Sequence, residues 1–115
     1  MIKEGLSAAV TCEGDELYAA LSGEIDHHTA GAVREQLDAA LFKHRPRRLT
    51  LDLGGVAFMD SSGLGLVLGR AALCEELGAT LRVLRPSPRI LRVFRVAGLE
   101  RLGHITVEEK SDESK

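Results

Sequence analysis

The sequence contains no tryptophan and only four aromatic residues, Tyr18, Phe42, Phe58 and Phe94. Its core must therefore be Leu, Val, Ile and Ala packed against close backbone, and base stacking on nucleic acid has few platforms. Cysteine is equally scarce. Cys12 and Cys74 lie far apart, with neither a C-x-x-C pair nor the Cys/His spacing of a zinc site, so both are expected as free thiols and no metal is expected. No apolar run approaches the ~18 residues of a membrane span, and Met1 to Ser7 lack the apolar region of a secretory signal. The expected compartment is the cytoplasm, with no membrane partner. Nor does one sign of charge dominate. Seventeen acids against fifteen bases leave a net charge of −2, which argues against direct DNA binding through phosphate contacts.

What is present fits one soluble domain. A chain of 115 residues has room for a single core, and 44% hydrophobic with 28% charged residues excludes disorder as the main state. The alternation from Leu6 to Cys12, the polar residues 13–16 and the run Leu17 to Ser22 predict a β-hairpin closed by Gly23. From Asp26 to His44, Ala30, Val33, Leu37, Ala40 and Leu41 recur at helical spacing, with Asp26 placed as N-cap. Leu49, Leu51 and Leu53 alternate with Thr50 and Asp52, as in a strand with one covered face, and Gly54-Gly55 is expected to break that strand. A second helix is predicted from Asp60 through Leu77, stopped by Gly78, and a short strand follows at Leu81 to Val83.

Ser87-Pro88 then reads as an N-cap with proline in the first turn, opening a third helix with the apolar stripe Ile90, Leu91, Val93, Phe94 and Ala97. Gly98 interrupts it, and a short segment, Leu99 to Leu102, leads to a last strand, Ile105 to Val107. The domain is expected over 1–108 and a frayed polar tail over 109–115. The class is α/β: a mixed sheet opened by the hairpin, with helices packed mainly on one face. Arg85, Arg89 and Arg92 follow helical spacing opposite the apolar stripe and read as a solvated helix face.

The informative segment is Phe58-Met59-Asp60-Ser61-Ser62-Gly63-Leu64-Gly65, which delivers two hydroxyls and two glycines to a helix start. Unpaired N–H groups and a macrodipole charge of about +0.5 favour an anion there, so a phosphate on Ser61 would be stabilised. Ser62, nearer the first turn, can cap backbone N–H groups with its hydroxyl. Gly63 and Gly65 each cost about 1 kcal/mol in helix propensity and open the backbone to another protein or a nucleotide. Enzyme motifs fail on spacing. Leu68 stands where a dinucleotide fingerprint needs its third glycine, no Gly-Lys-Ser/Thr exists for a P-loop, and neither serine has a glycine two residues before it for a nucleophile elbow. No catalysis is expected.

Asp26 reads either as a helix cap or as a functional acid. His27 and His28 are adjacent and would diverge by about 100° on a helix, so they suit a partner contact better than a shared metal. Leu64, Leu66, Val67 and Leu68 are mostly core, with Leu64 or Leu66 available to a partner.

The run Gly23-Glu24-Ile25-Asp26-His27-His28-Thr29-Ala30, together with Phe58 to Gly65 and Leu68-Gly69-Arg70, resembles the anti-sigma factor antagonists of the STAS domain family. The Asp-His-His-Thr-Ala run is similar to the sporulation branch rather than the general stress-response branch. Ser87-Pro88 and Gly98-Leu99 extend the resemblance over nearly the whole chain. It implies a STAS-type domain without cofactor that acts by binding. In that family the unmodified antagonist engages an anti-sigma factor that is also a serine kinase, and so frees a sigma factor. The kinase then phosphorylates the first serine of the motif, here Ser61, and a phosphatase reverses this. The resemblance implies partner contacts at Asp26, His28, Thr29, Asp60, Ser61, Ser62, Gly63, Leu64 and Gly65, with Asp26 near Ser61. The alternative is a STAS-like module that binds a nucleotide or small anion at the Ser61 helix start.

Overall fold

The computed structural model describes residues 5–109. One mixed sheet holds β1 (Leu6–Glu13), β2 (Glu16–Ile25), β3 (Arg48–Met59), β4 (Thr80–Leu84) and β5 (Ile105–Glu108) in that spatial order. The first two strands pair antiparallel as the expected hairpin, and each later neighbour is parallel. The parallel crossovers carry α1 (Ala30–His44), α2 (Ser61–Glu76) and α3 (Pro88–Ala97), the last followed by a 3-10 turn at Leu99–Arg101. Leu17, Leu21, Leu51 and Val83 from the strands meet Leu37, Val67 and Phe94 from the three helices in one core. All three helices thus pack on the same sheet face. Each fully buried Leu, Val or Phe contributes roughly 1.5–3 kcal/mol over its exposed state.

The opposite sheet face differs from the expectation for β3. Thr50 and Asp52 are buried like Leu49, Leu51 and Leu53 with which they alternate, so both faces of this central strand are covered. Long polar side chains of the neighbouring strands supply the second cover. The Glu16 carboxylate accepts from the Thr50 hydroxyl and from Arg48 Nε at 2.7 Å, while Arg82 Nε donates to Thr50 Oγ1 at 3.2 Å. Asp52 accepts from the Tyr18 hydroxyl, the Arg85 guanidinium and, at 2.9 Å, the Gly54 N–H. Buried polar groups are tolerable because each finds a partner. The bond to Asp52, with burial adding, raises the Tyr18 pKa and keeps the phenol protonated. Arg85 therefore does not sit on a solvated helix face. It lies between β4 and α3 in a left-handed conformation, φ 54, paired across the sheet.

Gly54-Gly55 does not break β3, which runs unbroken to Met59. Two register shifts against β2, between Ala20 and Ser22 and between Gly23 and Glu24, absorb the irregularity instead. The glycines are there because space is short: a Cβ at Gly55 would lie 2.7 Å from Ser22 Oγ, and one at Gly54 would lie 2.9 Å from Arg85 Nε. Likewise β2 continues past Gly23 to Ile25 rather than closing there.

The third helix matches its sequence signals. Ser87 Oγ accepts the Ile90 N–H at 3.2 Å, and Gly98 ends the helix in the left-handed region. Its stripe is narrower than expected, because Ile90, Leu91 and Phe94 are buried while Val93 and Ala97 face outward. Both cysteines are free thiols. Burial pushes the Cys74 thiol up to about 11, so it stays neutral, whereas Cys12 is exposed. Of the expected tail only Glu109 is among the described residues, and it pairs with Arg95 at 2.9 Å.

Candidate functional site

Parallel pairing brings two loops together. Ile25 and Met59 are register partners at the C-terminal ends of β2 and β3, and the Asp60 N–H donates to the Ile25 carbonyl at 3.1 Å. The turn before α1 and the start of α2 therefore lie side by side at the carboxyl ends of the strands, where open α/β sheets place their sites.

At the start of α2 the cap is Asp60. Its backbone is extended, its Oδ1 accepts the Ser62 N–H at 2.8 Å, and its carbonyl accepts the Gly63 N–H at 2.9 Å. The expectation that the Ser62 hydroxyl caps the helix is corrected, since the carboxylate one residue before Ser61 is better placed. Ser61, the first helical residue, is exposed, and Ser62 is half-buried. Gly63 is buried, and a Cβ on it would stand 1.9 Å from Met59 Cγ and 3.1 Å from Ile25 Cγ2. Its bareness is required by the chain's own packing against Met59 and Ile25. Gly65 is exposed with open space beside it. Leu66 is buried, which leaves Leu64 as the half-exposed leucine of this turn.

The turn before α1 is built on Asp26. Its Oδ1 accepts the N–H groups of His28 at 2.9 Å and Thr29 at 3.1 Å. Thr29 Oγ1 accepts the Asp26 N–H at 3.0 Å and donates to the Glu24 carbonyl at 2.9 Å. The helix begins only at Ala30, so Asp26 caps a turn that precedes α1 rather than the helix itself. Thr29 takes the N-cap position, but its hydroxyl is used within the turn and makes no cap bond. His28 is exposed, and because both histidines precede α1 they do not diverge as on a helix: the His27 and His28 rings lie tilted by 38° with centroids 4.0 Å apart.

Desolvation pushes the Asp26 carboxyl up, but the two backbone N–H groups outweigh it and hold the pKa below its ordinary value. A depressed carboxyl contributes stability that is present above the ordinary carboxylate pKa and is lost as pH falls through the lower folded value. Asp26 is thus charged at neutral pH, on a loop adjacent to the one that carries the exposed Ser61 hydroxyl.

Sequence reasoning missed the apolar surroundings of this site. Phe58, three residues before Ser61, is 44% exposed, and Val96 on α3 is 85% exposed. Leu64, Arg92, Val93, Val96 and Ala97 line an apolar hollow of about 300 Å³ between α2 and α3. Val96 falls outside the helical stripe, which was the one sequence signal that could have marked it. Among the described residues no three His, Cys, Asp or Glu side chains group as metal ligands, and no helix is long and apolar enough to cross a membrane.

Known proteins resemble the chain in sequence and fold. Residues 8–107 match the family described as Mlab, STAS domain. An anti-sigma F factor antagonist of Paenibacillus polymyxa is 41% identical over 83 residues, 72% of this chain and 71% of that protein. The anti-sigma factor antagonist SpoIIAA in its unphosphorylated form superposes with a TM-score of 0.72 at 27% identity, covering 93% of this chain and 91% of that one. The Bacillus cell fate determinant SpoIIAA in the phosphorylated form gives a TM-score of 0.71 at 29% identity, covering 93% of both chains. The chain belongs to the STAS domain family. Within that family it is a SpoIIAA-like anti-sigma factor antagonist.

Proposed function

We propose that the unmodified chain binds an anti-sigma factor that is also a serine kinase, frees a sigma factor for sporulation transcription, and is switched off when that kinase phosphorylates Ser61. A phosphatase restores the hydroxyl, and the cycle runs in the cytoplasm without a cofactor. One observation carries the reading: Ser61 is an exposed hydroxyl at a helix start where Asp60 already supplies the cap. The hydroxyl is therefore not engaged as the cap, and the helix end favours a negative charge on it. The SpoIIAA relative exists in a phosphorylated form, and the Paenibacillus relative is an anti-sigma F factor antagonist, in keeping with the Asp-His-His-Thr-Ala run.

Phosphorylation adds a charge of about −1.5 to −2. Placed beside Asp60 and close to the Asp26 turn, it makes the surface repel an acidic or apolar partner site while leaving the fold intact. The partner face is proposed to comprise Asp26, His28, Thr29, Asp60, Ser61, Ser62, Leu64 and Gly65, with Gly63 holding the turn in shape. Incubation with the anti-sigma kinase of the same genome and ATP should add one phosphoryl mass to the parent and to Ser62→Ala, and none to Ser61→Ala. Labelling of Ser61→Ala defeats the assignment.

The Asp26 turn supplies a second test. Asn keeps an oxygen for the His28 and Thr29 N–H groups, so Asp26→Asn should melt within a few degrees of the parent. Its binding to the anti-sigma factor, or its rate of phosphorylation, should still fall. Equal values side by side would reduce Asp26 to a turn former.

A further inference from the structure

The outer strands of a sheet invite pairing unless something blunts them, and the two edges of this sheet differ. β5 is four residues long and ends at Glu108. β1 pairs with β2 over eight residues without a bulge, holds no proline or lysine, and is uncharged from Leu6 to Cys12.

The free backbone groups of β1 follow from its pairing. The Gly5 carbonyl accepts the Glu24 N–H at 3.1 Å, and hydrogen-bonded residues alternate along an antiparallel strand. Ser7, Ala9 and Thr11 therefore bond to β2, whereas Leu6, Ala8, Val10 and Cys12 direct their N–H and C=O groups out of the sheet. Gln36 on α1 reaches the Ala8 carbonyl from outside, at 3.3 Å, and is the only side chain bonded to this edge among the described residues. Side chains divide by face. Leu6, Ala8 and Val10 are half-buried against the core on the helix side, Ser7, Ala9 and Thr11 are exposed on the other, and Cys12 ends the helix-side row exposed.

We propose that β1 pairs antiparallel with β1 of a second copy of this chain about a two-fold axis at Ala9, joining two five-stranded sheets into one. That register uses the whole strand. Leu6 stands opposite Cys12 of the second copy and Ala8 opposite its Val10, so the outward groups exchange about eight hydrogen bonds, two per pair. Apolar side chains meet apolar ones on the helix face, Ser7 meets Thr11 on the open face, and the exposed Cys12 is covered by Leu6. Glu13 falls opposite Gly5, so no like charges meet. Beside the edge, α1 presents Ala32, Gln36 and Ala39, which share one helix face and are all exposed and uncharged, so the second copy can approach closely. The Ala8 carbonyl has a second lone pair, and Gln36 need not leave it. None of these residues belongs to the face proposed for the anti-sigma factor.

The test is sedimentation equilibrium of the full chain, with Ala9→Lys and Ala9→Glu as variants. Ala9 is exposed and points away from the helices, so both variants should keep the circular dichroism and melting temperature of the parent. The parent should dimerise with a dissociation constant between about 10 μM and about 1 mM. Each variant alone sets like charges face to face at the axis and should dimerise at least about tenfold more weakly, while an equal mixture of the two should recover to within about threefold of the parent. A parent still monomeric at about 2 mM, a dimer that Ala9→Lys leaves unchanged, or a mixture no tighter than its components would overturn the proposal. So would a monomeric parent whose binding to the anti-sigma factor is weakened by Ala9→Lys, since the edge would then belong to that protein.

Discussion

Ser61→Asp should fold like the parent and lose most of its affinity for the anti-sigma factor. The stability half follows from the helix start. A carboxylate on the first residue of α2 faces the unpaired N–H groups, an arrangement worth about 0.3–1 kcal/mol in favour of the fold. Ser61 is exposed and Asp60 retains its bond to the Ser62 N–H, so no packing changes. The binding half follows from position. The new charge stands next to Asp60 in the chain, on the loop adjacent to the Asp26 turn and in the same helical turn as the half-exposed Leu64, on the surface proposed to meet the partner. A mismatch of roughly 3 kcal/mol there weakens association about a hundredfold. Ser61→Asp binding as tightly as the parent, by titration calorimetry, would show that charge at this surface does not control association.

Gly63→Ala should be strongly destabilising, although alanine is the better helix former. Its methyl group would sit 1.9 Å from Met59 Cγ, an overlap that only displacement of Met59 against Ile25, or of α2 itself, can relieve. Overpacking of this kind costs about 1–3 kcal/mol and sometimes more, which outweighs the ~1 kcal/mol that alanine gains in propensity. A fall in melting temperature of about 10 °C is expected. Gly65→Ala, two residues on, is the matched control: nothing lies within 4 Å of its Cβ, so propensity alone should act and the melting temperature should rise slightly. A Gly63→Ala protein as stable as Gly65→Ala would mean that the helix start yields more readily than its packing implies.

These two glycines mark the boundary of what the sequence reveals. Both lie in the same motif and both read as openings for a partner, but only the fold places Met59 over one of them. The same holds for Gly54-Gly55, where a turn signal is outweighed by the pairing of Gly55 with Ser22 on β2 and by the close approach of Ser22 and Arg85. Local signals succeed where the chemistry is local. Ser87-Pro88 and Gly98 bound the third helix as written, because caps depend on neighbours three residues away. They fail where a distant chain decides the outcome. Thr50 and Asp52 look like solvent-facing positions until Glu16, Tyr18 and Arg85 are brought across the sheet to meet them. For the site, the motif located Ser61 and Asp60, whereas the division of labour between them depends on backbone geometry: Asp60 caps and Ser61 stays exposed.

The central claim is that a phosphoryl group on Ser61 separates antagonist from partner. Its most direct test is titration of the anti-sigma factor with the unmodified chain and with the chain phosphorylated at Ser61, side by side at one salt concentration. The unmodified chain should bind about a hundredfold tighter, with both forms showing the same circular dichroism and melting temperature within a few degrees. Equal affinities for two folded forms would contradict the account.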